Sequence, residues 1–133
     1  MKCWKRGGAL LTLGLLLLST SVVAAATASF SSKASISPAQ VRVSKPAAVS
    51  FRLTSKSKVT NCTVDVEVYN SRRQKIAQRV WDAQNFTPGQ QRSYKWSGNI
   101  PAKGTYIVKV GVFAPQWKSL YHWNDRAAVV TVK

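Results

Sequence analysis

The sequence predicts an all-β protein, a single antiparallel sandwich of about seven strands behind an export leader. Three observations carry that reading. Apolar and polar residues alternate with period two in one run after another from about residue 29 to the C-terminus, as they do in strands with one buried face. Clusters of Ser, Asn, Pro and Gly punctuate these runs at short, regular spacing, which marks a sandwich. No stretch after residue 30 repeats apolar residues at helical spacing for long enough to form a helix.

The first 28 residues read as a signal peptide. Lys2, Lys5 and Arg6 give a positive start, "ALLTLGLLLL" an apolar core, and "VVAAATAS" two Ala-x-Ala cleavage sites, after Ala26 or Ala28. The apolar run falls short of the roughly 20 residues a bilayer span needs. The expected product is one domain, residues 29–133, secreted to the extracellular space or periplasm, monomeric, with no transmembrane segment once the leader is cleaved.

The mature elements follow in order. A Ser-rich segment, "SFSSKASISP", leads into "AQVRVSKP" and "AVSFRLTS", read as the first two strands. The second points Val49, Phe51 and Leu53 inward and Ser50, Arg52 and Thr54 outward. After a polar turn, "CTVDVEVY" places Cys62, Val64, Val66 and Val68 inside and Asp65 and Glu67 on a solvated outer face. "QKIAQRVW" is the fourth strand, expected to face Ile76 and Val80 inward and Lys75, Arg79 and Trp81 outward. Pro88-Gly89 suits the centre of a type II turn. "RSYKW", "TYIVKVGVF" and "AAVVTV" complete the set, with Tyr106, Val108, Val110 and Val112 on the inner face.

Composition narrows the chemistry. Removing Lys2, Lys5 and Arg6 leaves 17 cations against four acids, Asp65, Glu67, Asp82 and Asp125, a mature net charge of +13. Such a field attracts polyanions and also keeps a protein soluble. Cys3 leaves with the leader, so Cys62 has no disulfide partner and reads as a small buried hydrophobe. His122 is the sole histidine. One His and one Cys build neither a metal site nor a nucleophilic relay, and no Gly-rich phosphate loop is present. The expectation is a non-enzyme without catalytic residues, cofactor or metal.

The segments "VDVEVYN", "FTPGQQRSYKW", "GTYIVKVGVF" and "W…YHWND…A" resemble immunoglobulin-like modules of secreted bacterial proteins, which often accompany glycoside hydrolases and other carbohydrate-active enzymes. The similarity runs along nearly the whole mature chain. It implies a seven-stranded immunoglobulin/fibronectin-like sandwich with an accessory, substrate-binding or spacer role.

Two sets of residues are candidates for binding. The first is the aromatic loop "QWKSLYHWND". Trp117, Tyr121 and Trp123 offer rings on which sugar C–H faces pack, and His122, Asn124 and Asp125 offer hydrogen bonds. Tyr121 and Trp123 are two apart and so share a face in an extended chain, with His122 turned away. The same rings serve equally as a lid over one end of the core. The second set is a basic face of Arg52, Lys75, Arg79 and Lys95 with Trp81 among them. The first implies binding of carbohydrate or envelope polysaccharide. The second implies a basic envelope interaction protein whose partner is a polyanion, an acidic protein or a secreted enzyme. A proteinase inhibitor is a weaker alternative, and no motif points to specific nucleic acid.

Overall fold

The structure, a computed structural model, describes residues 29–133; the expected signal peptide lies outside them. Seven strands follow one another: β1 Phe30–Ser37, β2 Pro46–Ser55, β3 Val59–Tyr69, β4 Lys75–Phe86, β5 Gln91–Asn99, β6 Gly104–Phe113 and β7 Leu120–Val132. A single 3-10 turn, Pro115–Trp117, joins the last two. Strands β1-β2-β5 form one antiparallel sheet and β4-β3-β6-β7 the other. The predicted all-β sandwich is what the chain forms.

The inner faces explain why. On the central strands of the four-stranded sheet, Val64, Val66 and Val68 of β3 stand directly opposite Val112, Val110 and Val108 of β6, and all six are buried. β-branched side chains fit this pleated, two-sided burial, and each stabilises the fold by about 1.5–3 kcal/mol relative to exposure. Val49, Phe51 and Leu53 of β2 pack against them from the other sheet. Tyr106, near the start of β6, donates its hydroxyl to the Ala102 carbonyl at 2.7 Å, the tyrosine corner of immunoglobulin-like sandwiches. The Thr87–Gln90 turn closes with Gln90 N–H on the Thr87 carbonyl and Gly89 at φ 81°, as a type II turn requires.

Four expectations change. The first strand is the Ser-rich "FSSKASIS", not "AQVRVSKP". Phe30, Ala34 and Ile36 turn inward in alternation with the exposed Ser31, Lys33 and Ser35, a pattern that edge-strand small residues disguise. Within "AQVRVSKP", Val41 makes one parallel bridge to Val132, and backbone bonds link Lys133 to Val41 and Val43, so this segment caps the end of β7.

Secondly, the aromatic stretch is mostly strand, because β7 begins at Leu120. Thirdly, β4 faces the opposite way: Trp81 packs on Phe51 and Tyr94 at centroid distances of 5.8 and 5.0 Å, while Ile76 and Val80 are 41% and 37% exposed. Trp81 is opposite Val64 and Val80 opposite Asp65. One indole covers more of the core than two aliphatic side chains, and it decides the parity of this edge strand. Fourthly, Asp65 and Glu67 keep the outer face but are buried, at 0% and 9% exposure.

The facing of β4 yields a direct comparison. Trp81→Ala should cost about 3 kcal/mol of stability, whereas Val80→Thr should change it by about 0.5 kcal/mol or less. Urea denaturation of both variants checks this; the reverse ranking would restore the facing expected from alternation.

Candidate functional site

Six non-glycine residues among those described hold positive φ, and four of them line one groove. Asn61 (φ 59°), Ala83 (55°), Gln116 (58°) and Trp117 (61°) surround a groove of about 480 Å³ together with Thr63, Asp82 and Pro115. Left-handed backbone at ordinary residues costs on the order of 1–3 kcal/mol apiece and collects at functional sites. Register shifts in the β3–β4 pairing around Cys62 open the strands beside the groove. On its polar wall Thr63 Oγ1 donates to Asp82 Oδ1 at 3.1 Å, and Asn85 Oδ1 accepts from the Asn61 N–H at 2.8 Å. The opposite wall is Trp117, 46% exposed.

Trp117 is held from behind by Phe113, 4.6 Å between centroids, and Phe113 in turn meets Trp123 at 6.2 Å. Trp123 is the cross-strand partner of Gly111, and its six-membered ring lies against that glycine. A Cβ at position 111 would come within 2.6 Å of Trp123 Cε3 and 3.0 Å of Phe113 Cε1. Gly111 is therefore what lets the indole rest on the sheet. The Trp123 Nε1–H donates to Asp125 Oδ1 at 3.3 Å, and the same oxygen pairs with Lys109 Nζ at 2.9 Å. Lys109, with Trp123 beside it, holds the Asp125 carboxyl below its ordinary range.

The other residues of the aromatic stretch lie elsewhere. A register shift between Val112 and Phe113 separates Tyr121 from Trp123, so the two do not share a face. Tyr121 stacks on Phe30 at 6.5 Å. His122 Nε2 sits 2.9 Å from Ser32 Oγ, and Asn124 Nδ2 donates to that hydroxyl at 2.9 Å. Together they fasten β7 to β1 across the sandwich, and burial holds the imidazole pKa below its ordinary value. Of the aromatic-stretch residues singled out in the sequence, Trp117 lines the groove and Trp123 and Asp125 lie behind it; Asn61, Thr63, Asp82 and Phe113, which folding brings in from distant strands, were not among the candidates.

The proposed basic set divides in the same manner. Arg52 and Lys95 share the outer face of the three-stranded sheet. Arg79 lies 4.7 Å over the Trp81 ring and donates to the Lys95 carbonyl at 3.0 Å. Trp81 is partly buried against the core, and Lys75 belongs to the other sheet, 3.8 Å from Glu67.

Beside Lys75 the outer face of β3 carries a buried acidic pair. Gln78 Nε2 donates to Asp65 Oδ1 at 2.9 Å and to Glu67 Oε2 at 3.1 Å, and Tyr69 Oη donates to Glu67 Oε1. Burial, and then the hydrogen bond with Glu67, push Asp65 up to about 7. Glu67 goes down: burial opposes ionisation, but the hydrogen bonds of Asp65 and Tyr69 and the charges of Lys75 and Lys109 outweigh it. Asp65 Oδ2 is buried without a hydrogen-bond partner, and Gln78 is the side chain that bridges the two carboxyls. Neither carboxyl lines the groove. Cys62 is free and buried, and burial pushes its thiol up to about 11, which leaves it unreactive. Among the described residues no three His, Cys, Asp or Glu side chains gather as a metal site.

The raised Asp65 carboxyl has a consequence for stability. Because Asp65 is raised in the folded chain, its favourable effect is complete below about pH 4 and is lost as pH rises to about 7. Asn at this position keeps the donor and removes the titration. The Tm advantage of Asp65→Asn over the parent should grow from pH 4 to 7 and level off above; a pH-independent difference would contradict the raised Asp65 titration.

No protein-family model matches the chain, and no curated protein matches it by sequence. Solved structures do match in shape. The C-terminal domain of Wzt aligns over 77% of this chain and 70% of its own, with TM-score 0.64 and 8% identity. The CARDB domain of the PF1109 protein from Pyrococcus furiosus, solved in complex with di-metal ions, covers 80% of this chain and 89% of its own, with TM-score 0.57 and 14% identity. A β-glucosidase from Erythrobacter marinus matches 80% of this chain with 16% of its own length, at TM-score 0.50 and 13% identity. These likenesses show an immunoglobulin-like β-sandwich fold.

Proposed function

We propose that the protein is an exported, non-catalytic module that binds carbohydrate in the groove beside Trp117. The observation that carries this reading is the concentration of left-handed backbone around one half-exposed indole faced by polar groups. Sugar rings present apolar C–H faces and a rim of hydroxyls. An indole packs on the former, and Thr63, Asp82 and Asn61 offer donors and acceptors to the latter. Phe113 and Trp123 extend the aromatic surface behind Trp117. That a β-glucosidase includes a sandwich of this shape supports an accessory role beside a polysaccharide-degrading enzyme.

Neutral glycans suit this groove, because ring stacking needs no charge and persists at high salt. Pull-down on insoluble polysaccharide, preceded by a broad glycan array, is the test. Trp117→Ala should lower affinity about 30-fold, the equivalent of a 2 kcal/mol hot spot, while leaving the Tm nearly unchanged because the ring is half exposed. Gly111→Ala should also weaken retention by displacing Trp123 and Phe113. A wild-type protein that binds no glycan, or a Trp117→Ala variant that binds as well as the parent, would overturn the proposal.

A further inference from the structure

The outer face of the three-stranded sheet presents a second, chemically different surface. Its strands run in register, so its exposed side chains form rows across the sheet. Lys33, Arg52 and Ser93 make one row; Ser35, Ser50 and Lys95 make the next. These six residues line a shallow groove of about 690 Å³. Lys33 and Arg52 are direct cross-strand partners, an arrangement of like charges that destabilises a sheet. Lys95 lies on the diagonal from Arg52, roughly 7–8 Å away at this sheet position. No acid relieves the three cations, because Asp65, Glu67, Asp82 and Asp125 all belong to strands of the other sheet.

We infer that this face is a binding surface for an acidic polysaccharide. Three converging cations supply charge complementarity to carboxylate or sulfate groups spaced along a polymer. The serine hydroxyls between them donate to and accept from sugar hydroxyls. Phe51 and Tyr94 of the same strands turn their rings into the core, so the face offers no ring on which nucleic-acid bases stack. Nor does it carry a large apolar side chain to enter a lipid interface. An anion bridging Lys33 and Arg52 removes the repulsion that the bare fold carries. The surface is separate from the Trp117 groove and differs from it in ligand charge and salt response.

Binding of polygalacturonate, neutral dextran, duplex DNA and phosphatidylglycerol vesicles at several salt concentrations tests the assignment. Polygalacturonate should bind and weaken steeply as salt rises. The combined variant Lys33→Gln, Arg52→Gln, Lys95→Gln should lose about tenfold or more of that affinity and flatten the salt dependence. Its Tm should not fall, since a like-charge pair is removed. A control of equal charge, Lys45→Gln, Lys56→Gln, Lys103→Gln, should lose about twofold or less, and Trp117→Ala should bind polygalacturonate normally. Equal losses in both triple variants would reduce the effect to net charge and overturn the inference. Binding of DNA or vesicles without polygalacturonate would overturn it as well.

Discussion

The valine pairing between β3 and β6 is the constraint on which the rest of this sandwich depends. Three Val–Val partners at the centre of the four-stranded sheet are wholly shielded from water, and a strand's period of two then leaves no freedom to their neighbours. With Val64, Val66 and Val68 inside, Thr63, Asp65, Glu67 and Tyr69 must lie outside. With Val108, Val110 and Val112 inside, Lys109, Gly111 and Phe113 must lie outside. The aromatic shelf, the acidic pair and one wall of the groove are the other parity of the same two strands. A slip of one residue in either strand would move the valines to solvent and dismantle the site in the same step.

The same parity sorts charge. All four acids lie on strands of the four-stranded sheet, where Lys75 and Lys109 neutralise Glu67 and Asp125. The three-stranded sheet receives cations and no acid. Residues 29–133, with 17 cations against four acids, are therefore polarised: their field is softened on the four-stranded sheet and undiluted on the outer face of the three-stranded sheet. Folding, more than composition, makes the protein's basic character directional.

How much of this was legible in the sequence depended on how strongly a residue declares its side. Valines in alternation, Pro88-Gly89 and a lone Cys62 each have one low-energy placement, and each was read correctly. The serines of β1 declare nothing, so that strand was missed and its place given to the segment that holds Val41. On β4 the contest between Trp81 and the pair Ile76 and Val80 turns on shape at a sheet edge, which alternation does not encode. Bulges defeated the remaining readings: one inserted residue near Phe113 sends Tyr121 to the core and leaves Trp123 outside. Asp65 and Glu67 looked solvated because nothing local reveals that Gln78, Tyr69 and Lys75 close over them.

The groove was illegible for a deeper reason. Asparagine tolerates left-handed backbone, but alanine, glutamine and tryptophan do not favour it, so no sequence signal anticipates Ala83, Gln116 and Trp117 there. Such conformations persist only where surrounding structure over-determines them. Here that structure is close at hand: the valine core lies one layer below, and Phe113 braces Trp117 from the same sheet. The two positive-φ residues outside the groove, Ser44 and Arg73, occupy ordinary turns closed by backbone bonds. On β1, β2 and β5 no non-glycine residue is strained in this manner. One face is therefore regular and presents its groups by repetition of register. The other departs from regularity at a single place, and there it shapes a groove. The physical cost of irregular backbone falls where shape is needed and is absent where repetition suffices.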